Sequence, residues 1–149
     1  MTSPYEMFQT KKLDLSDEPT EFDYGDFQIY CKYGGINNRA FINTYQVKMK
    51  KFARRDNMAK QGQLAEDAVQ KLEKQKTKAL AELYADHIIV GWKGVTDIDG
   101  KPIDYNKENV VKLLTDLDPL FKDIVEQCAV DANFAKEQED KEVKNLKKS

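Results

Sequence analysis

The sequence predicts an α+β fold that is predominantly α-helical, with an N-terminal antiparallel β-hairpin packed on about four helices. Two observations carry this prediction. Apolar residues alternate with period two only in residues 22–33, whereas stripes with helical spacing follow from residue 42 onward. The 149 residues are 40% hydrophobic and 34% charged. This balance favours one core with long solvated helical faces over a thick α/β enzyme.

The chain divides into three parts by composition. Residues 1–20 mix Ser, Pro, Asp and Thr without a period, so we expect a mobile arm. Residues 21–134 contain every periodic segment and should form a single helical domain that begins with the hairpin. Residues 135–149 alternate charges of both signs, which predicts a charged tail that is either a frayed helix or disordered.

The hairpin is predicted from two short runs that flank a turn. Its second strand places apolar side chains at every other position: Phe27, Ile29, Cys31 and Tyr33. Phe22 and Tyr24 alternate in the same way in the first strand, and Gly25-Asp26 supplies a turn that tolerates positive φ. An isolated hairpin is marginally stable in water, so this one must pack against helices or against a partner's strand.

Two helices are predicted next. The first should begin at Asn37 or Asn38, which are good N-caps, and Gly62 interrupts its pattern. Its apolar stripe is Ile42, Tyr45, Met49 and Phe52. The second should run from about Gln63 to Val90. Its buried side should contain Leu64, Ala68, Leu72, Ala79, Leu83 and Val90.

Two shorter helices complete the predicted domain. Residues 91–102 are rich in Gly, Asp and Pro and indicate a loop. A third helix should follow Asn106, with its inward side formed by Val110, Leu113 and Leu114. Asp118-Pro119 combines an N-cap with a Pro at the first helical position, which starts the fourth helix. Its stripe is Phe121, Ile124, Cys128 and Ala132.

Charge is distributed unevenly. Residues 36–62 carry seven Lys and Arg against one Asp, between the acidic segments 1–35 and 94–134. Two interpretations remain open: charge complementarity within the fold, or a basic surface reserved for an acidic partner. Aromatic side chains are not interleaved with these cations, so we expect no nucleic acid partner. Cys31 and Cys128 both fall within apolar patterns and are interpreted as buried thiols of a reduced cytosolic protein.

The sequence predicts no enzyme, cofactor, metal site or membrane span. The one histidine, His87, is interpreted as a packed or edge-of-core residue, and no segment has the pattern of a phosphate loop. Asp97-Ile98-Asp99-Gly100 resembles the start of a calcium loop. However, Lys101 and Pro102 occupy the positions that need an oxygen ligand and a flexible glycine, so we interpret the segment as a tight polar turn.

Three stretches together resemble a known family. The first runs from Phe22-Asp23-Tyr24-Gly25-Asp26-Phe27 to Phe41, the second from Leu83-Tyr84-Ala85 through Gly91-Trp92-Lys93-Gly94 to Ile103, and the third from Glu108-Asn109-Val110 to Gln127. In this order and spacing they resemble the tail assembly chaperones of long-tailed bacteriophages. Such proteins usually read Leu-Pro-Asp-Leu-Phe where this chain has Leu117-Asp118-Pro119-Leu120-Phe121.

The resemblance implies a role in the cytoplasm of the host cell. Members of that family coat the tape measure protein, keep it soluble, help to recruit the tail tube protein and are not retained in the virion. A groove for an amphipathic client helix would then be lined by Trp92, Leu113, Leu120 and Phe121, although plain core packing is the alternative for each. Two other functions remain open, a structural tail-completion or connector protein and a small interaction protein acting on a host factor. Self-association into a homo-oligomer also remains open.

Overall fold

A computed structural model describes residues 3, 4 and 18–134 of the chain. The strands and helices of this part are, in order, β1 (Thr20–Asp23), β2 (Gln28–Cys31), α1 (Arg39–Lys50), α2 (Ala53–Lys60), α3 (Glu66–His87), β3 (Ile89–Lys93), α4 (Lys107–Asp116) and α5 (Asp118–Cys128), followed by a 3-10 helix (Asp131–Phe134). The predicted α+β, mostly helical class is confirmed. Most of the expected arm and the whole of the expected tail lie outside the described residues.

The predicted hairpin is confirmed. β1 and β2 pair antiparallel with Phe22 opposite Ile29, and the connecting turn is closed by a 2.9 Å hydrogen bond from Tyr24 N to Phe27 O. Gly25 adopts φ +91° in this turn, a conformation that glycine tolerates best. Ile29 and Cys31 are fully buried, as the period-two pattern requires for the inward face of the sheet.

The prediction is wrong where the second helix ends. α3 stops at His87, and residues 89–93, predicted as the last turn of a helix and the start of a loop, form the third strand instead. β3 pairs antiparallel with β2, with Ile29 opposite Trp92, so the sheet order is β1-β2-β3. The physical reason is that β2 would otherwise present unpaired backbone groups, which β3 satisfies. Val90 is accordingly exposed on the strand rather than buried on a helical stripe.

The helices pack on one face of the sheet around α3. The main core joins the fully buried side chains of Ile29 from β2, Leu83 from α3, Leu114 from α4 and Ile124 from α5. Tyr84 of α3 contributes edge-to-face contacts, with ring centroids 5.4 Å from Phe41 and 5.6 Å from Phe121. A smaller cluster of Phe52, Leu72 and Ala79 fastens α1 and α2 to the first part of α3.

The first predicted helix is divided in two. Asn38 caps α1 as predicted, because its side chain accepts a 3.1 Å hydrogen bond from Phe41 N. The helix then breaks at Lys51–Phe52, where the buried Phe52 ring turns into the smaller cluster. Tyr45 was assigned to the apolar stripe and is exposed, whereas Phe41 is buried in its place. Ile42 and Met49 are half-buried and Phe52 is buried, so three of the four predicted positions face inward and Phe41 extends the stripe.

Two further assignments are corrected. Ala68 was placed on the buried side of the second helix and is exposed, since the start of α3 has little packed against it. The N-cap of α5 is Leu117 rather than Asp118, which is already helical and forms a 2.9 Å ion pair with Lys122. The predicted cap of α4 is confirmed, because the Asn106 side chain accepts a 2.8 Å hydrogen bond from Asn109 N.

Candidate functional site

An open groove of about 640 Å³ lies between α4 and the loop that follows β3. We call it the α4 groove. Its lining residues are Thr96, Asp97, Ile98, Pro102, Ile103, Asp104, Asn109, Lys112, Leu113, Asp116 and Leu117. Its lining mixes apolar and polar side chains, and concave surfaces of this kind are candidate binding sites.

The groove exposes apolar side chains that no described residue covers. Ile98 is fully exposed (101%) at the tip of a turn, and Leu117 is 47% exposed at the end of α4. Leu113 and Ile103 are half-buried and continue the same lining. An isolated exposed apolar side chain needs no explanation, but a group of them around one concavity indicates a surface that another molecule covers.

The charges of the lining are mostly negative. Asp97, Asp104 and Asp116 line the groove against the single cation of Lys112. All four side chains belong to exposed residues, so their field reaches into solvent and is screened by salt. The groove therefore combines an apolar lining with an acidic surround, which favours a ligand that has cations beside its apolar side chains.

Trp92 holds the loop wall of the groove on the sheet. Its indole Nε1 donates a 3.0 Å hydrogen bond to Ile103 O, and its ring packs edge-to-face on Tyr105 with centroids 5.3 Å apart. The Tyr105 hydroxyl in turn donates to Ile89 O at 2.9 Å, and burial raises the pKa of this hydroxyl. Both hydrogen bonds connect the loop to residues of β3, so the groove wall is held in place without a ligand.

The turn that presents Ile98 is also fixed. Asp97 N donates to Lys101 O at 2.8 Å, and one carboxylate oxygen of Asp97 accepts from the backbone N–H groups of Asp99 and Lys101, each at 2.9 Å. This is the tight polar turn expected from the sequence. The opposite end of the loop is tied to α4, since Asn109 Nδ2 donates to Asp104 O at 2.8 Å.

The structure does not bring the four predicted groove residues together. Leu113 lines the α4 groove. Trp92 and Leu120 are half-buried and pack against the main core. Phe121 is only 4% exposed and belongs to that core, so it is not accessible to a partner in this fold. For Phe121 the alternative of plain core packing therefore holds.

Ile98, Ile103 and Leu117 also line the groove and were not among the residues predicted from the sequence. Their signal does not lie in periodicity, because all three flank α4 or precede it in a loop. One indication was present for Ile98. It is the only apolar residue between Asp97 and Gly100, in a turn whose other side chains are polar. Its side chain does not reach the core and is fully exposed.

The basic segment 36–62 is only partly neutralised within the fold. Lys48 forms a 3.1 Å ion pair with Glu82, which supports internal complementarity. Near it on the chain, Lys50 and Arg54 are exposed, and no ion pair to either is present within residues 18–134. Internal complementarity therefore accounts for Lys48, whereas both interpretations stay open for Lys50 and Arg54.

The two cysteines and the histidine, which the sequence also singled out, lie in or beside the core. Cys31 and Cys128 are fully buried, and the pKa of Cys128 is raised by its hydrogen bond with Cys31 and by burial. His87 is exposed at the end of α3 with its ring 6.5 Å from that of Phe41, at the edge of the core. In the described part of the chain, no three His, Cys, Asp or Glu side chains form a group that can hold a metal ion. No described helix is long and apolar enough to span a bilayer.

Comparison with known proteins gives one match. The model of a family described as YdaY prophage protein matches residues 36–145, which is more than half of the chain. The match begins just before α1 and covers the α4 groove completely. No curated protein and no solved structure matches the chain.

Proposed function

The chain belongs to the phage-derived YdaY prophage protein family, and we propose that it is a non-enzymatic tail assembly chaperone. It binds an amphipathic helical segment of a tape measure protein in the α4 groove. It keeps that protein soluble in the host cytoplasm, helps to recruit tail tube subunits and is not retained in the virion. The observation that carries the proposal is the uncovered apolar lining, with Ile98 fully exposed and Leu117 half-exposed.

The exposed lining supplies part of the free energy of binding. Covering the whole Ile98 side chain contributes about 2 kcal/mol, and covering the exposed half of Leu117 about 1 kcal/mol. A total of about 3 kcal/mol corresponds to a factor of about 100 in affinity. The client is an apolar helix whose own stripe is insoluble when uncovered, so both partners lose exposed apolar area on binding.

The rigidity of the groove supports the same role. The hydrogen bond from Trp92 to Ile103 O and the closed turn at Asp97 hold the lining in place without a ligand. A preorganised surface loses little conformational entropy on binding, which leaves more of the burial energy for affinity. Trp92 acts here as a positioning residue for the wall and Leu113 as a contact residue of the lining.

The test is co-expression with the tape measure protein encoded in the same prophage. Wild-type chain should keep the tape measure protein in the soluble fraction, and the double variant Ile98→Asp with Leu117→Asp should not. The matched control is Ile36→Asp, because Ile36 is similarly exposed at 79% and does not line the groove. Substitutions at exposed positions change stability by only about 0.5 kcal/mol, so all variants should remain folded by circular dichroism.

Two outcomes would contradict the proposal. Wild-type chain that neither binds nor solubilises the tape measure protein removes the chaperone function. Loss of solubilisation by Ile36→Asp to the same degree as by the groove variant removes the groove as its site. Mass spectrometry of purified particles separates the structural alternative, since a chaperone should be absent from the virion and a connector present in fixed copy number.

A further inference from the structure

A second exposed surface has the opposite charge to the α4 groove. It lies where α1 meets α2 and is formed by Val47, Lys50, Lys51 and Arg54. We call it the basic α1 face. Val47 is 77% exposed, and the three cations belong to exposed residues. Val47, Lys50 and Lys51 are spaced three and four residues apart, so they lie on one side of the helix.

The charges of this face have few partners within the fold. Lys51 lies over the ring of Phe52 with its Nζ 5.0 Å from the ring centroid, which leaves the ammonium at the surface. Neither Lys50 nor Arg54 has an ion pair within the described part of the chain. The neighbouring Lys48 is different, since Glu82 neutralises it. The face thus offers one exposed apolar side chain with cations on its C-terminal side.

The two surfaces are complementary in chemistry. The α4 groove needs a ligand that carries an apolar side chain beside cations, because its apolar lining is accompanied by Asp97, Asp104 and Asp116. The basic α1 face supplies Val47 and Lys50 on α1 and Arg54 at the start of α2. We propose that the basic α1 face of one copy docks in the α4 groove of a second copy. The apolar contacts give the burial, and the opposite charges fix the orientation.

This contact has a consequence for assembly. The two surfaces are different, so the interface is heterologous and a pair of docked copies keeps one free face and one free groove. Copies therefore add head to tail, and the assembly grows with concentration unless it closes into a ring. A copy without a client covers its apolar groove with a neighbour, and any ligand of the groove must displace that neighbour. The contact is independent of which client the groove takes.

The test exchanges the charges of the two surfaces. The face variant is Lys50→Glu with Arg54→Glu, and the groove variant is Asp104→Lys with Asp116→Lys. Wild-type chain should show a concentration-dependent mass by sedimentation, and raising NaCl from about 0.05 M to about 0.5 M should weaken its association about tenfold. Each variant alone should be monomeric because its two surfaces then have the same sign. An equimolar mixture should associate again, since each surface regains an opposite partner.

The mixture guards against a trivial loss of folding. A variant that had merely unfolded would not recover a defined mass when mixed with the other, and circular dichroism of each variant should match the wild type. Val47→Asp should also weaken association, whereas Ile36→Asp should leave it unchanged. Wild-type chain that stays monomeric, variants that associate as the wild type does, or a mixture that stays monomeric would each overturn the inference. In the first case the basic face would serve some other acidic partner.

Discussion

Trp92 provides the sharpest test of how the groove is built. The sequence suggested that its side chain contacts a client, whereas the structure places it behind the groove wall, half-buried and bonded to Ile103 O. These two roles predict different effects on stability. A client-facing side chain can be removed from the free protein at almost no cost, but a bracing side chain cannot.

The expected magnitude follows from the contacts. Truncating a fully buried Trp to Ala costs about 3–5 kcal/mol, so a half-buried one should cost about 2 kcal/mol. Loss of the indole donor leaves Ile103 O without its partner and adds about 1 kcal/mol. We expect Trp92→Ala to lower the free energy of unfolding by about 3 kcal/mol by this reasoning. Trp92→Phe keeps the apolar ring and should cost about 1 kcal/mol, mainly for the hydrogen bond.

Urea denaturation followed by circular dichroism measures both values. Hydrogen exchange of residues 96–104 adds a local readout, because these amides should lose protection in Trp92→Phe before the rest of the domain does. A Trp92→Ala variant within about 0.5 kcal/mol of the wild type would refute the bracing role and return Trp92 to the set of client contacts. Equal losses in the Ala and Phe variants would show that the hydrogen bond, and not the ring, carries the effect.

Three further predictions concern the supports of the fold. Asn106→Ala should cost about 1 kcal/mol in urea denaturation because it removes the cap of α4, and Asn106→Asp should restore most of it. Gly94→Ala should cost about 2 kcal/mol, since Gly94 has φ +74° and a Cβ there would lie 2.6 Å from Asp26 O; a melting temperature equal to wild type would contradict this. Burial, and then the hydrogen bond to Asp123, raise the pKa of Tyr24. The protonated Tyr24 hydroxyl therefore contributes its full stabilisation below pH about 10, and this contribution is lost as the pH rises further. Tyr24→Phe should flatten the resulting alkaline decrease in melting temperature.

Local patterns predicted those parts of the fold that local physics determines. The hairpin was predictable because alternation from Phe27 to Tyr33 and the Gly25 turn lie within one short segment. The cap at Asn106 was predictable for the same reason. β3 was not, because Val90 continues the helical spacing of Leu83 and the strand forms only by pairing with β2, which is distant in sequence. Tertiary pairing thus overrides a local helical pattern.

The candidate site was predictable only in part. Leu113 follows from the stripe of α4, which points one row of side chains toward the loop. The pattern left two positions open for Phe121, which lies in the core, because an aromatic on an amphipathic helix has the same spacing whether it faces the core or a partner. Ile98 was not found, since its importance comes from full exposure on a turn, which no period in the sequence reveals.

Site-specific photocrosslinking during phage production shows whether the α4 groove contacts the tape measure protein. A photoreactive amino acid is placed at Ile98, in the α4 groove, and in a parallel strain at Ile36, which is similarly exposed outside it. We expect irradiation to link position 98 to the tape measure protein and to give no such adduct at position 36. Absence of the tape measure adduct at position 98, or equal yields at both positions, would contradict it.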